Sequence, residues 1–209
     1  MKRLLEHRWP LLTSAGLLLY SALSLLDLAQ PAPAVGFDAT EHLAEADVAT
    51  FKDGRWTPCK PRGYPEGFRC ARTEWSQVSL YAGYGGGQGR KCLWMHPHAP
   101  GVRTKVTWRD LPLGAEVRVK ATLLHGSGPG GDVTTQVLLD DRTLGAVTVN
   151  DPWDSGDLII PLKPGAAKGT LSLQVRAPKS QWRKMCVSLH MTGQRPGQRR
   201  GGRAKAVKR

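Results

Sequence analysis

The chain has 209 residues, a size that holds one domain with extensions rather than two full domains. With 40% hydrophobic, 7% aromatic and 22% charged residues it is neither disordered nor collagen-like. Lys and Arg total 30 against 17 Asp and Glu, a net charge of +13, and a single stretch approaches membrane length, which excludes a polytopic membrane protein.

The chain begins with a short basic segment, Met1 to Arg8. Trp9 to Leu26 then runs without a charge until Asp27, and Ala-Gln-Pro-Ala-Pro-Ala-Val follows. Two readings of residues 1–34 stay open. A signal peptide has a basic start, an apolar stretch of roughly 7–15 residues and a small-residue cleavage site, here Ala32-Pro33-Ala34 before Val35. A membrane anchor needs roughly 20 apolar residues, which residues 9–28 supply. The length of the run, and Pro10 where a helix takes its first turn, favour the anchor. Acidic Asp27, Asp38, Glu41, Glu45 and Asp47 follow the segment, so the N-terminus stays inside. Either way, residues 35–209 lie outside the cytoplasm. A buried core helix is disfavoured because no amphipathic face is visible.

Residues 35–50 read as a stalk or a short helix, with Asp38 or Thr40 as cap and Leu43 and Val48 as apolar points. Residues 51–74 are rich in Arg, Pro and Gly around two cysteines and read as a clipped loop region. Cys59 and Cys70 bracket a Pro- and Gly-containing stretch, while Cys92 and Cys186 sit in strand-like segments. Four cysteines allow three pairings. The expected ones are Cys59–Cys70 and Cys92–Cys186, the latter joining the domain's first and last strands. Export favours disulfides, and the spacing lacks the paired ligands of a zinc site.

From Trp75 onward the pattern is β. Trp75 to Tyr81 alternates, then Ala82 to Lys91 is a glycine-rich loop without P-loop spacing. Cys92–His96, Val102–Trp108, Ala115–Leu124, Val133–Leu139, Leu144–Val149, Leu158–Leu162, Thr170–Arg176 and Lys184–Met191 read as short strands. Leu111-Pro112-Leu113-Gly114 reads as a turn, and Asp140-Asp141-Arg142 as the tight turn of a hairpin. Pro161 marks an edge strand or a strand end. Short strands at this spacing predict an all-β fold, an antiparallel β-sandwich or jelly roll over residues 51–192. A hydrophobic N-terminal helix precedes it and a disordered basic tail, 193–209, follows.

The segments RKCLWMHP, VTWRDLPLG, VLLDDRTLGAVTV and KMCVSLHM, between Cys92 and Met191, resemble exported bacterial sandwich domains of the galactose-binding-like, carbohydrate-binding-module class. The resemblance covers about half of the chain. It implies glycan binding through loops at one end of the sandwich, with a structural calcium in some members. No binding residue of the class maps onto a position here.

Sugar rings pack their CH faces on flat aromatic rings, so tryptophans are the first candidates. Trp153 stands in a polar loop with Asn150, Asp151 and Asp154, whose oxygens suit sugar hydroxyls. The competing role for Trp153 is to cap the sandwich end. Trp182, between Gln181 and Arg183, is a second candidate. Trp94 and Trp108 fall in strand patterns and are expected in the core. His96 and His98 have no third ligand at metal spacing. Asp140, Asp141, Asp151, Asp154 and Asp157 are better explained by turn chemistry than by calcium. Neither a Gly-x-Ser-x-Gly elbow nor a His-Glu-x-x-His motif occurs.

The tail carries a net +7 without an acid. Residues 195–209 suit an anionic polymer or lipid surface by charge alone, not a specific nucleic acid. The expected protein is a non-catalytic, exported and membrane-anchored binding module of the cell envelope that recognises a glycan and needs no cofactor. The rival is a structural or assembly protein that binds an envelope protein; a second rival is an extracytoplasmic hydrolase.

Overall fold

The chain divides into two compact units, Met1–Pro33 and Ala34–Arg209. The structure, a computed structural model, describes residues 35–62, 67–71, 77–82, 91–97, 101–124, 127, 131–151, 154–163, 168–178 and 183–193, all in the second unit. The N-terminal apolar segment, the core of the glycine-rich loop, Trp75, His98, Trp153, Trp182 and the basic tail lie outside the described residues.

Two antiparallel sheets pack face to face as a β-sandwich. The strands among the described residues are β1 (Val35–Asp38), β2 (Asp47–Lys52), β3 (Arg55–Pro58), β4 (Lys60–Arg62), β5 (Gly67–Arg69), β6 (Gln77–Tyr81), β7 (Cys92–Met95), β8 (Arg103–Pro112), β9 (Glu116–Leu123), β10 (Val133–Leu139), β11 (Arg142–Val149), β12 (Ser155–Pro161), β13 (Lys168–Arg176) and β14 (Met185–Thr192). One sheet runs β12-β9-β14-β7-β6-β5-β4, with β1 also pairing β14; the other runs β11-β10-β13-β8-β2-β3.

Alternation builds the core. Val117, Val119, Ala121 and Leu123 of β9 point inward beside Met191, Leu189, Val187 and Met185 of β14, their register partners. Val106 and Trp108 of β8 meet Leu173 and Leu171 of β13 on the other sheet's inner face. Burying each such aliphatic side chain contributes about 1.5–3 kcal/mol before entropy is charged against it. The expected strands from Trp75 to Met191 correspond to β6 through β14. Pro161 is both the last residue of β12 and part of an edge strand.

The first half of the domain differs from its sequence reading. Residues 35–50, expected as a stalk or short helix, form β1, a 3-10 turn (Leu43–Glu45) and β2. The helix-forming stretch is too short to be stable alone, and pairing of β1 with β14 and of β2 with β8 wins. Asp38 does cap, but it caps a turn: its Oδ1 accepts from the Thr40 N–H at 2.8 Å and the Thr40 hydroxyl at 2.7 Å. Residues 51–74, expected as loop, supply the end of β2 and all of β3, β4 and β5. The expected turn at Leu111–Gly114 begins too early. β8 continues through Pro112, and its irregularity is Asp110, at φ 53°, opposite the register shift between Gly169 and Leu171.

Both disulfides pair as expected, Cys59–Cys70 and Cys92–Cys186. Cys59 stands where the chain leaves β3 in one sheet for β4 in the other, and Cys70 follows β5, so the first bridge ties the two sheets at a corner. The second differs in place from the expectation. It joins β14 to its neighbour β7, an interior strand and not the first strand of the domain.

Candidate functional site

The site is the outer face of the six-stranded sheet, and a hairpin starts it. Asp53 and Gly54 have φ of 51° and 81°, the two-residue turn that Asp-Gly favours. That turn sets Phe51 of β2 directly opposite Trp56 of β3. Their rings stand 5.2 Å apart, tilted by 57°. Trp56 is 39% exposed, although a tryptophan of this size is usually far more covered.

Register extends this pair into rows across the sheet. Arg103 of β8 stands opposite Phe51, and Arg176 of β13 stands opposite Arg103. The next row holds Pro58, Ala49, Lys105, Gln174, Gln136 and Ala146. The row beyond it pairs Asp47 with Thr107 and Thr107 with Ser172. The Arg103 guanidinium lies 4.0 Å from the Phe51 ring centroid, and Lys105 Nζ lies 4.7 Å from that of Trp56. Cations over aromatic faces are held by the ring quadrupole.

The middle of this face is polar and buried. Ser172, Gln174 and Thr107 are 1%, 5% and 7% exposed, although they alternate with the core residues and point away from them. Gln174 Nε2 donates to Gln136 Oε1 at 2.9 Å, and the Thr107 and Ser172 hydroxyls are 3.0 Å apart. Thr134 and Thr148 hydroxyls meet at 3.1 Å farther along. Two carboxylates border the face and both are engaged. Asp47 accepts from Arg109 Nε at 2.7 Å, and Asp141 accepts from Lys105 at 3.3 Å. An exposed indole and fixed cations on a sheet stiffened by this buried polar row can stack a ring and hold an anion.

The residues singled out in the sequence lie elsewhere. Asn150, Asp151 and Asp154 are exposed in the loop between β11 and β12, where the Asp154 N–H donates to the Asp151 carbonyl at 3.0 Å. Trp153 and Trp182, meant to complete that site, lie outside the described residues. The loop instead meets Arg183, which is fully buried and donates from Nη2 to the Asn150 carbonyl at 2.6 Å. Burial pushes the Arg183 pKa down, and the charges of Asp132 and Asp151 work against that. Asp140 and Asp141 form the β10–β11 turn, with φ of 49° and 61°, and Asp140 accepts from the Thr170 N–H at 2.8 Å. Trp108 is in the core as expected. Trp94 is not: it is half-buried on the outer face of the eight-stranded sheet, edge-on to Tyr81 at 5.2 Å. Among the described residues no three His, Cys, Asp or Glu side chains gather as a metal site. The sequence reading passed over Trp56, although the Asp-Gly pair two residues before it marks the hairpin that presents it.

No family model and no curated protein matches this sequence. Solved structures with a similar fold include a module of carbohydrate-binding family 51 from Clostridium perfringens in complex with methyl-galactose. It is 16% identical, with a TM-score of 0.37 over 55% of this chain and 90% of that one. A family 6 module from Clostridium stercorarium with cellobiose is 12% identical, with a TM-score of 0.36 over 56% and 82%. A family 27 module described for mannan recognition is 9% identical, with a TM-score of 0.44 over 78% and 99%. These are of the class that the Cys92–Met191 pattern resembles. Likenesses this distant carry no argument about what this chain binds.

Proposed function

We propose that this protein is an exported, non-catalytic module that binds a glycan on the outer face of its six-stranded sheet. The observation that carries the reading is the exposed Trp56 ring on a sheet face that also holds paired polar side chains, Gln136–Gln174 and Thr107–Ser172. The indole offers a flat apolar surface to the CH face of a sugar, and half-buried Gln136, at the margin of the buried polar row, can exchange hydrogen bonds with its hydroxyls. Two disulfides support an oxidising compartment. The apolar run over residues 9–28 supports export, with that segment as signal or anchor. The rival reading, docking of an envelope protein, calls for a broad apolar patch. The large exposed apolar side chains among the described residues are Trp56 and Ile159, which stand on different sheets.

The test is binding of the full chain to a panel of polysaccharides, with calcium and with chelator. Trp56→Ala is expected to weaken binding by about 2 kcal/mol, roughly thirtyfold in Kd, without changing the melting temperature. Loss of binding with Trp153→Ala and not with Trp56→Ala would move the site to the loop after β11. Absence of binding to every polymer would sink the glycan reading.

A further inference from the structure

From the charges on this face we infer that its ligand is an acidic glycan, one that carries carboxylate or sulfate groups; the inference rests on the glycan reading and names its substrate class. Arg103 and Arg176 are directly opposed cross-strand partners on β8 and β13. They share the outer face with Lys105, two residues along β8. Side chains in such a position have Cβ atoms roughly 4.5–5.5 Å apart, and like charges there destabilise a sheet. Among the described residues neither arginine has a carboxylate partner. Arg103 leans on the Phe51 ring, and the bordering Asp47 and Asp141 are taken by Arg109 and Lys105. A repulsive pair kept at the end of the β8–β13 ladder is a local conflict, and such conflicts concentrate at functional sites.

A bound anion resolves the conflict. A guanidinium meets a carboxylate or sulfate through two parallel hydrogen bonds, and two guanidinium groups side by side match charges spaced along a polymer. Lys105, paired with Asp141, tethers the Trp56 ring from one side. The order across the sheet is then aromatic, cation, cation, hydroxyl: Trp56 and Phe51, Arg103, Arg176, Thr134. A uronic-acid or sulfated sugar stacks its ring on Trp56 and sets its acid over the arginines. Neutral glycans leave both arginines opposed.

The experiment compares polygalacturonate with its fully methyl-esterified form, which keeps the same rings and removes the charge. With the full chain at physiological salt, polygalacturonate is expected to bind at least about tenfold more tightly, the strength of one charged hydrogen bond. Arg103→Gln with Arg176→Gln should erase that preference while binding of the esterified form persists. A separate variant, Arg199→Gln with Arg200→Gln and Arg203→Gln, thins the charge of the tail and should leave the preference intact. Equal, Trp56-dependent binding of both polymers overturns the acidic assignment and leaves the glycan reading standing. A preference that survives in the double arginine variant and disappears in the tail variant assigns it to the tail and overturns the inference. Single-stranded DNA that competes equally through the same two arginines makes the face a general polyanion site and overturns it too. Binding of neither polymer removes the glycan reading and this inference together. The melting temperature of the double arginine variant should hold or rise, since a repulsive pair has gone; a fall would show that the pair is structural.

Discussion

Trp108 fills the core, edge-on to Phe37 at 5.5 Å, and its Nε1 donates to the His42 carbonyl at 2.9 Å. The indole therefore fixes the 3-10 turn after β1 as well as filling space. Trp108→Phe is expected to cost about 2 kcal/mol, from lost volume and an orphaned carbonyl, read as a lower urea midpoint. His96 gives a pH signature. Burial holds its pKa below 6.5, with nearby Lys184 adding to the effect and a backbone hydrogen bond at Arg183 opposing it. The unfolded chain then takes up the proton first, so stability falls as pH drops below 6.5. Urea midpoints should decline between about pH 7.5 and pH 5.5, and His96→Gln should flatten that decline. Glu116 acts in a different window. The Thr192 hydroxyl and Arg118 hold its carboxyl below 4.5, so its contribution is lost only on further acidification.

Among the elements, the edge strands decide whether the sandwich closes. β12 and β11 are edges of different sheets that pack on each other. Gly156 makes this approach fit, because a Cβ there would stand 2.1 Å from Val147 Cγ2. Valine has little rotamer freedom with which to step aside. Gly156→Ala should therefore cost about 1–3 kcal/mol, and Val147→Ala in the same chain should recover part of it. Additive losses in that double mutant would show that the two side chains do not meet. At the opposite edge, β3 ends on Pro58 and β4 carries Pro61. Proline cannot donate to an added strand, so these edges resist pairing with another chain.

For the whole molecule the disulfides differ in reach. Cys59–Cys70 spans 11 positions and Cys92–Cys186 spans 94. Removing a crosslink restores more freedom to the unfolded chain when the loop is longer. Cys92→Ala with Cys186→Ala is expected to cost about 4–5 kcal/mol, and Cys59→Ala with Cys70→Ala about 3 kcal/mol or less. Equilibrium unfolding of the two variants checks the order. The short bridge also joins the sheets where β3 leads to β4, so its loss should loosen the hairpin that carries Trp56 more than the core.

The later strands and the hairpin at Asp140–Asp141 were legible in the sequence, and the cysteines paired in the expected one of three ways. Those features rest on period-two alternation, Pro, Gly and Asp at turns, and a small number of cysteines. The strand and turn signals are local, so neighbouring residues suffice to read them. The first five strands and the candidate site emerge only once the chain is folded. β1, β2 and β3 are short, and their apolar residues gain a partner only when β14 and β8 arrive from far along the chain. Trp56, Arg103, Lys105, Gln136 and Gln174 lie on four strands whose order in the sheet is not their order in the chain. Their meeting is set by long-range register, which no single segment encodes. The loop around Trp153 drew attention in the sequence because its chemistry is contiguous; the sheet face was hidden because its chemistry is assembled.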